Sequence, residues 1–236
     1  MTEHIDIVLP CYNPNSSWPD ELLKFDNYIR PHFTINYIIV NDGSVTGDIN
    51  SQIHTLTQKN IPVTRVSYDR NQGKGYALRE GVKKSKAPFT LYTDIDFPFT
   101  NKSMEDMLHT LTSGKFDIVA GYRNENYYEK TISGFRIALS KSFRFFIRKV
   151  LRMPISDTQC GLKGFNEKGK TKFLDTTINR YLFDFEFIYT SVKDKTITIA
   201  PVQVELKDNV VFSKMKGKIL AQETMNLLKV LLFSRR

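Results

Sequence analysis

Short apolar runs and helical segments take turns along the first half of this chain, and each apolar run ends in a polar, turn-forming loop. Ile5–Leu9, Tyr37–Val40, Val63–Ser67, Phe89–Thr93 and Asp117–Ala120 read as strands. Trp18–Ile29, Ile49–Gln58, Tyr76–Lys84 and Ser103–Leu111 read as helices, the last with Ser103 as its N-cap. Strands joined through helices pair in parallel and take helices on both faces of the sheet. The expectation is an α/β fold with a mainly parallel sheet. Ligands of such sheets bind beyond the carboxyl ends of the strands, so the loops that follow the strands gather on one edge.

Four of those loops carry chemistry. Phe89–Thr93 runs into Asp94-Ile95-Asp96. Where a strand ends and the chain turns, one carboxylate can reach a metal and the other a substrate hydroxyl. Hard divalent cations commonly take one or two carboxylates plus substrate phosphates. The pair reads as a seat for a metal-bound diphosphate, or as two solvated turn aspartates. Asp42, in Asn41-Asp42-Gly43-Ser44, reads equally as a carboxylate facing a nucleotide base or ribose and as an Asx-turn residue. Asn71-Gln72-Gly73-Lys74-Gly75 opens a helix and can offer backbone N–H groups and one positive charge to an anion. An ordinary strand-to-helix turn has the same composition, and the spacing is not that of a Walker A loop. Arg123, after Gly121-Tyr122, is either a phosphate-pairing fork or a surface arginine.

The second half reads differently. Ile132–Leu151 is a long helix with Arg136, Ser140, Arg144, Arg148 and Arg152 at intervals of four, interleaved with Phe135, Phe143 and Phe146. A basic, Phe-rich helix fits a membrane surface; a core helix with a solvated cationic stripe fits as well. Leu162–Phe165 is a short strand and Asn166–Phe173 a helix capped by Asn166. Leu182–Val192 is apolar but carries Asp184 and Glu186, Thr196–Val204 alternates as a strand does, and Met215–Phe233 is a C-terminal helix. The change near residue 122 is a subdomain switch without a linker. Residues 1–210 are expected to form one domain in two halves, 1–121 and 122–210, with an amphipathic helix over 211–236.

The formal net charge of +9 calls for an acidic partner: nucleic acid, anionic lipid headgroups or a phosphorylated substrate. Cys11 and Cys160 provide neither a disulfide framework nor metal-site spacing, which fits a reducing compartment. The N-terminus lacks a signal-peptide pattern, and no window reaches the ~18 apolar residues of a spanning helix. A soluble or peripheral protein is expected.

Taken in order, Leu9-Pro10-Cys11-Tyr12-Asn13, Asn41-Asp42-Gly43-Ser44, Asn71-Gln72-Gly73-Lys74-Gly75-Tyr76-Ala77, Asp94-Ile95-Asp96 and Gly121-Tyr122-Arg123 resemble the family 2 glycosyltransferases of the GT-A fold. Asp157-Thr158-Gln159-Cys160-Gly161-Leu162-Lys163-Gly164-Phe165 is the most specific segment. It is similar to the polyprenyl-phosphate branch, that of dolichyl-phosphate mannose synthases and dolichyl-phosphate glucosyltransferases. The resemblance covers roughly residues 3 to 210. It implies a GT-A, Rossmann-like, mainly parallel sheet with amphipathic interfacial helices added, and residues 1–121 as the nucleotide-sugar-binding half. It implies a UDP- or GDP-hexose donor, a polyprenyl-phosphate acceptor, Mg²⁺ or Mn²⁺ as cofactor, and a place on the cytoplasmic face of a membrane.

The same resemblance distributes the roles. Pro10, Tyr12 and Asp42 would hold the nucleoside, and Lys74 would lie near the base or diphosphate. Asp94 would contact the donor, and Asp96 would bind the metal. Arg123 and Arg136 would hold phosphates, with Ser140 one turn on. Asp157 and Gln159 would sit at the acceptor and metal edge, and Arg180 would be the cation of the acceptor loop. Asp94, Asp96 and Asp157 are the implied catalytic residues, and Asp96 and Gln159 the implied metal ligands. Two positions depart from the pattern: Asn41 stands where many relatives have an acid, and Pro98 where mannose-type relatives place a metal-binding glutamine.

The implied reaction is one in-line displacement at the anomeric carbon, with inversion. A phosphate monoester is largely anionic near pH 7, its second pKa being about 6, so it needs positioning more than deprotonation. A saccharide hydroxyl, the acceptor of a soluble relative, would need a base, with Asp157 the first candidate. A sugar-nucleotide-forming nucleotidyltransferase would carry a Gly- and Arg-rich loop after the first strand, unlike Tyr12-Asn13-Pro14-Asn15. A non-enzymatic membrane module leaves the convergence of Asp42, Asp94 and Asp96 without a reason. A nucleic-acid partner is not expected, because the cations cluster on one aromatic helix without a groove-reading motif.

Overall fold

The computed structural model describes residues 2–123, 145–151, 153, 155, 157–208, 226–227 and 229–231. Along the first half, β1 (His4–Cys11), α1 (Trp18–Ile29), β2 (Thr34–Asp42), α2 (Ile49–Gln58), β3 (Val63–Tyr68), α3 (Lys74–Val82), β4 (Phe89–Tyr92), α4 (Asn101–Thr112) and β5 (Ile118–Arg123) follow one another. The second half contributes β6 (Lys163–Asn166), α5 (Glu167–Leu174), α6 (Phe183–Lys193) and β7 (Ile199–Val204). The strands form one sheet in the order β3-β2-β1-β4-β6-β5-β7. β1 pairs in parallel with β2 and β4, β2 with β3, and β5 with β7, while β6 runs against β4 and β5. With β6 alone reversed among the described strands, Cys11, Asp42, Tyr68, Tyr92 and Arg123 end on a common edge. The α/β expectation of a mainly parallel sheet is what the chain forms.

Alternation along the strands divides the core into two layers. Ile5, Ile7 and Leu9 of β1 face one cluster with Tyr37 and Ile39 of β2, packed by Trp18, Leu22 and Phe25 of α1, by α2 and by α4. Val8, Ile38 and Val40 point the other way, onto Ala77, Leu78 and Val82 of α3, Phe173 of α5 and the phenylalanines of α6. A strand buried on both faces reads as a continuous apolar run, which is why β1 and β2 stand out in the sequence.

Several boundaries differ from expectation, among them that of β7, which begins at Ile199 and not at Thr196. α3 begins at Lys74, not Tyr76, because Gly73 occupies the N-cap with φ 105°. The N-cap of α4 is Thr100, whose hydroxyl accepts from the Ser103 amide; Ser103 lies inside the helix, and its own hydroxyl accepts from Glu205 N at 2.9 Å. Gly121-Tyr122-Arg123 belongs to β5 and does not follow it, since the pairing with β7 runs out to Arg123↔Val204. The apolar Leu182–Val192 segment is α6, with Asp184 and Glu186 in its first turn, where a helix favours acids.

The long basic helix expected over 132–151 lies mostly outside the described residues. Its described end is a π-helical turn, Phe146–Val150, with Ile147 buried and Phe145, Arg148 and Lys149 exposed. Of the C-terminal helix, Val230 is buried and Leu227 and Leu231 pack against the α5–α6 side of the core. Leu227 and Leu231 are only partly buried there.

β4 gives way to a tight turn in which Phe97 N donates to Asp94 O at 3.0 Å. Phe97 itself has φ 47°, a costly conformation for a bulky residue. It is fully buried, with its ring 5.3 Å from Phe25 and 6.5 Å from Tyr37. Burial of the ring holds the strained turn that presents Asp94 and Asp96. Phe97→Ala is expected to lower unfolding free energy by about 3–5 kcal/mol in equilibrium denaturation.

Candidate active site

The β2 end of the edge is organised by Asp42, which is almost fully buried. Its Oδ1 accepts from Gln72 N at 2.7 Å, and its Oδ2 from Gly73 N at 3.0 Å and from Asn71 Nδ2 at 2.8 Å. The carboxylate thus clasps the loop that precedes Lys74. Gly43 lies so close beneath that loop that a Cβ would meet Arg70 C and Asn71 N at 2.5 Å. Asn13, at φ 48°, ties the β1 loop to the β2 loop: its amide donates to Ser44 Oγ at 2.9 Å, and its Oδ1 accepts from Val45 N and Thr46 N. Tyr12 is left half exposed beside partly buried Pro10. Cys11, by contrast, is buried; burial and the charge of Asp42 push its thiol up to about 12, too high for a nucleophile at neutral pH.

The Gly73 and Gly75 amides are taken by the protein's own groups and are not offered to a bound anion, contrary to the simplest reading of that loop. Gln72 and Gly73 donate to Asp42, and Gly75 and Tyr76 donate to Asn179 O. What the turn does present is Lys74. Its ammonium lies 2.5 Å from Asp94 Oδ1. Burial works against that charge, but Asp94, Asp184 and Asp96 together hold the Lys74 pKa above its ordinary value. Asp96 is exposed, and desolvation and then the like charge of Asp94 raise its pKa.

Two carboxylates that repel each other at a turn fit a divalent cation, which would relieve the repulsion. Among the described residues no group of three or more His, Cys, Asp or Glu side chains assembles. Asp94 and Asp96 therefore match the Mg²⁺ mode, one or two carboxylates with the remaining positions left to diphosphate and water.

At the end of β5, Arg123 and Asp157 form a fork. Arg123 Nε and Nη2 donate to the two Asp157 oxygens at 2.9 and 2.8 Å, and the Arg123 amide donates to Oδ2 at 2.9 Å. Burial alone would raise the Asp157 pKa; the Arg123 hydrogen bonds and charge override it and hold the carboxyl below the usual carboxylate range. Gln159 is exposed on the same loop, and Cys160 is buried. Gly161 follows, and a Cβ there would lie 3.0 Å from Asp94 Oδ2 and 3.3 Å from Lys74 Nζ.

Arg180 comes from a different segment, with its Cγ against Gly73. Residues 176–179 before it are held on both sides. Arg79 Nη1 donates to Ile178 O at 2.8 Å and to Thr176 Oγ1, and Nη2 donates to Asn179 Oδ1. Glu186 accepts from Thr177 N, Thr177 Oγ1 and Ile178 N. The structure thus draws Asp42, Lys74, Asp94, Asp96, Arg123, Asp157, Gln159 and Arg180 to one edge. Arg136 and Ser140 lie outside the described residues.

The family model of glycosyl transferase family 2 matches residues 6–169. The chain belongs to glycosyl transferase family 2. It is 29% identical to the dolichyl-phosphate beta-glucosyltransferase of Dictyostelium discoideum over 218 residues, covering 85% of this chain and 65% of that protein. It is 31% identical to the enzyme of that name from Drosophila melanogaster over 201 residues, covering 78% and 61%. The chain thus spans less than two thirds of the length of these relatives. The fold matches that of Mycobacterium tuberculosis glucosyl-3-phosphoglycerate synthase, solved with Mn²⁺, uridine diphosphate and glucosyl-3-phosphoglycerate. The TM-score is 0.67 at 14% identity, over 98% of this chain and 80% of that one.

Within this family 2 domain, the structuring roles of Asn13, Arg79, Gly161, Lys163 and Asp184 are not evident from motif and spacing, although all but Arg79 stand in segments singled out in the sequence. The signal for the last two is a charge inside an apolar run, Leu162-Lys163-Gly164 and Phe183-Asp184-Phe185.

The Arg123–Asp157 fork has a measurable consequence. Arg123→Met leaves a buried carboxylate without its guanidinium and is expected to cost about 3 kcal/mol. With the Asp157 pKa depressed in the folded state, its contribution is present above the ordinary value near 3.9 and is lost as pH falls through the folded value. Stability measured by urea denaturation should therefore fall less steeply with acidification below about pH 4 in Arg123→Met than in the wild type.

Proposed function

We propose that the chain transfers a glucosyl unit from a nucleotide-sugar, a UDP- or GDP-hexose, to a polyprenyl phosphate of the dolichyl type, with inversion. The observation that carries this reading is the Arg123–Asp157 fork. A carboxylate held well ionised by a bidentate guanidinium is a weak base, so the site is ill suited to deprotonating a sugar hydroxyl. It suits an acceptor that is already anionic. Similarity to dolichyl-phosphate beta-glucosyltransferases supports the lipid and the sugar, and the neighbour solved with uridine diphosphate supports uridine as the base.

A non-bridging oxygen of the acceptor phosphate attacks the anomeric carbon, and the bond from that carbon to the diphosphate oxygen breaks as the nucleoside diphosphate leaves. Tyr12 and Pro10 border the nucleoside, and Asp42 keeps the loop beneath it closed. Lys74 supplies positive charge beside the leaving diphosphate, with Asp94 holding its ammonium. Asp94 and Asp96, with Gln159 at the same edge, would hold Mg²⁺ or Mn²⁺, which when bound neutralises charge developing on the diphosphate. Arg123 and Arg180 stand on the acceptor side, where they attract the incoming phosphate. Arg136 and Ser140 extend this phosphate-holding set. Asp157 fixes the plane of the Arg123 guanidinium.

The lipid tail asks for an apolar surface beside the site. Exposed Phe145, with Arg148 and Lys149 exposed next to it, provides aromatic and cationic groups for a membrane interface. The protein works as a peripheral enzyme on the cytoplasmic face, with no nucleic-acid partner. No described helix is long and apolar enough to cross a membrane.

Purified protein incubated with UDP-glucose, Mg²⁺ or Mn²⁺ and a polyprenyl phosphate should yield glucosylated lipid by mass spectrometry. Asp96→Ala should lower the rate at least ~100-fold, and saccharide acceptors should give no product. Transfer to a saccharide at a comparable rate would overturn the lipid assignment. Charge reversal at Arg144 and Arg148 should abolish sedimentation with anionic liposomes; unchanged sedimentation would count against the membrane face.

A further inference from the structure

A buried lysine and a buried aspartate lie behind the candidate site. Lys163 is fully buried in β6, and Asp184 is nearly so in α6. Lys163 Nζ donates to Asp184 Oδ1 at 2.7 Å and to Cys160 O at 2.6 Å. Tyr92, the last residue of β4, donates its hydroxyl to the same Asp184 oxygen at 2.5 Å. The ammonium and its carboxylate thus join the strand that leads to Asp94, the loop that carries Asp157 and Gln159, and the first turn of α6. The peptide that Lys163 holds by its carbonyl is the one before Gly161. Gly161 in turn stands beside both partners of the Lys74–Asp94 pair with little room for a larger residue, since an added Cβ would lie 3.0 Å from Asp94 Oδ2 and 3.3 Å from Lys74 Nζ.

We propose that Lys163, Asp184 and Gly161 are positioning residues for the donor. Lys163, neutralised by Asp184, pins the Cys160 carbonyl, and the pinned loop lays the bare Gly161 backbone against Lys74 and Asp94. The contact fixes how far Asp94 sits from Asp96 and keeps the Lys74 ammonium on its partner. This rests on the donor-site reading of Asp94 and Asp96 given above. A buried charged pair is an expensive way to hold a loop, and its location directly beneath the donor carboxylate gives the expense a function. Groups that orient ligating side chains from behind commonly contribute 10- to 100-fold to affinity or activity.

Gly161→Ala is the decisive variant, because Gly161 is partly exposed and the fold has no need of its conformational freedom. The donor KM should rise about tenfold, with kcat and the acceptor KM within about twofold. A merely structural role would lower the active fraction, and so kcat, with the donor KM unchanged; that result would overturn the proposal.

A second measurement needs no activity. The added methyl should lower Tm, and the loss should disappear in the Asp94→Ala background, where the side chain it presses is gone. An equal Tm loss in both backgrounds would place Gly161 out of contact with Asp94 and defeat the inference even if no donor were ever turned over. For the buried pair, Lys163→Met combined with Asp184→Leu and Tyr92→Phe keeps the volume apolar. If this triple variant folds, it should show the same rise in donor KM, and an unchanged donor KM would overturn the role of the pair. If it does not fold, the Gly161→Ala pair of measurements still decides whether the loop positions the donor carboxylate.

Discussion

The buried pair Lys163–Asp184 ties β6 to α6, and the candidate site is built around its charge. Taking an ammonium and a carboxylate out of water costs several kcal/mol per ion, and only a well-made set of hydrogen bonds offsets that. Here the ammonium has a carboxylate and a carbonyl, and the carboxylate has a lysine and a tyrosine hydroxyl. The arrangement tolerates little displacement, because any gap leaves a buried charge short of a partner. Such a junction is weak as a source of stability and strong as a source of geometry. The sheet explains why it can exist at all. β6 is antiparallel between β4 and β5, so its first residue, Lys163, lies at the same edge as the last residues of its neighbours.

Ionic contacts recur along that edge in a pattern. Lys74 pairs with Asp94, Arg123 with Asp157, and Lys163 with Asp184. Each pair joins residues that different segments of the chain bring to that edge. Asp96 stands apart from these pairs: desolvation and then the like charge of Asp94 raise its pKa. A site in which nearly every acid is matched, and one at the mouth is not, is poised to accept one further positive charge. That asymmetry is the electrostatic argument for a cation at Asp96, and it comes from the surroundings of the residue more than from its motif.

Much of this architecture is legible in the sequence alone. Trp18–Ile29 and Ile49–Gln58 have the expected bounds, since an apolar stripe at helical spacing and a turn on either side leave little choice. The parallel sheet follows from alternation, and the edge that gathers Asp42, Lys74, Asp94 and Asp96 follows from the sheet. The boundaries that differ are set by tertiary contacts: β5 runs on to Arg123 because β7 pairs with it, and α3 starts early because Gly73 can adopt φ 105°. The internal bonds of the site are less accessible. Sequence leaves Asp42 open between ligand contact and turn residue, and the choice depends on where Gln72 and Gly73 point their amides, which is a matter of chain path in three dimensions. Lys163 and Asp184 are separated by 21 positions, and nothing in their local patterns links them.

Arg123 and Asp157 show how the same two residues lead to different chemistry once their distance is known. Taken separately, one is a phosphate-binding cation and the other a candidate base. Joined by a fork and a backbone amide, they become one rigid, nearly neutral unit, whose carboxylate has lost basicity and whose guanidinium has lost rotational freedom. A fixed guanidinium contributes to anion binding at low entropic cost, because its planar fork is already oriented. A carboxylate of depressed pKa contributes little to proton abstraction, because the proton it would gain is poorly held. On the proposed function the pair therefore suits an acceptor that arrives charged, as a phosphate monoester near neutral pH does.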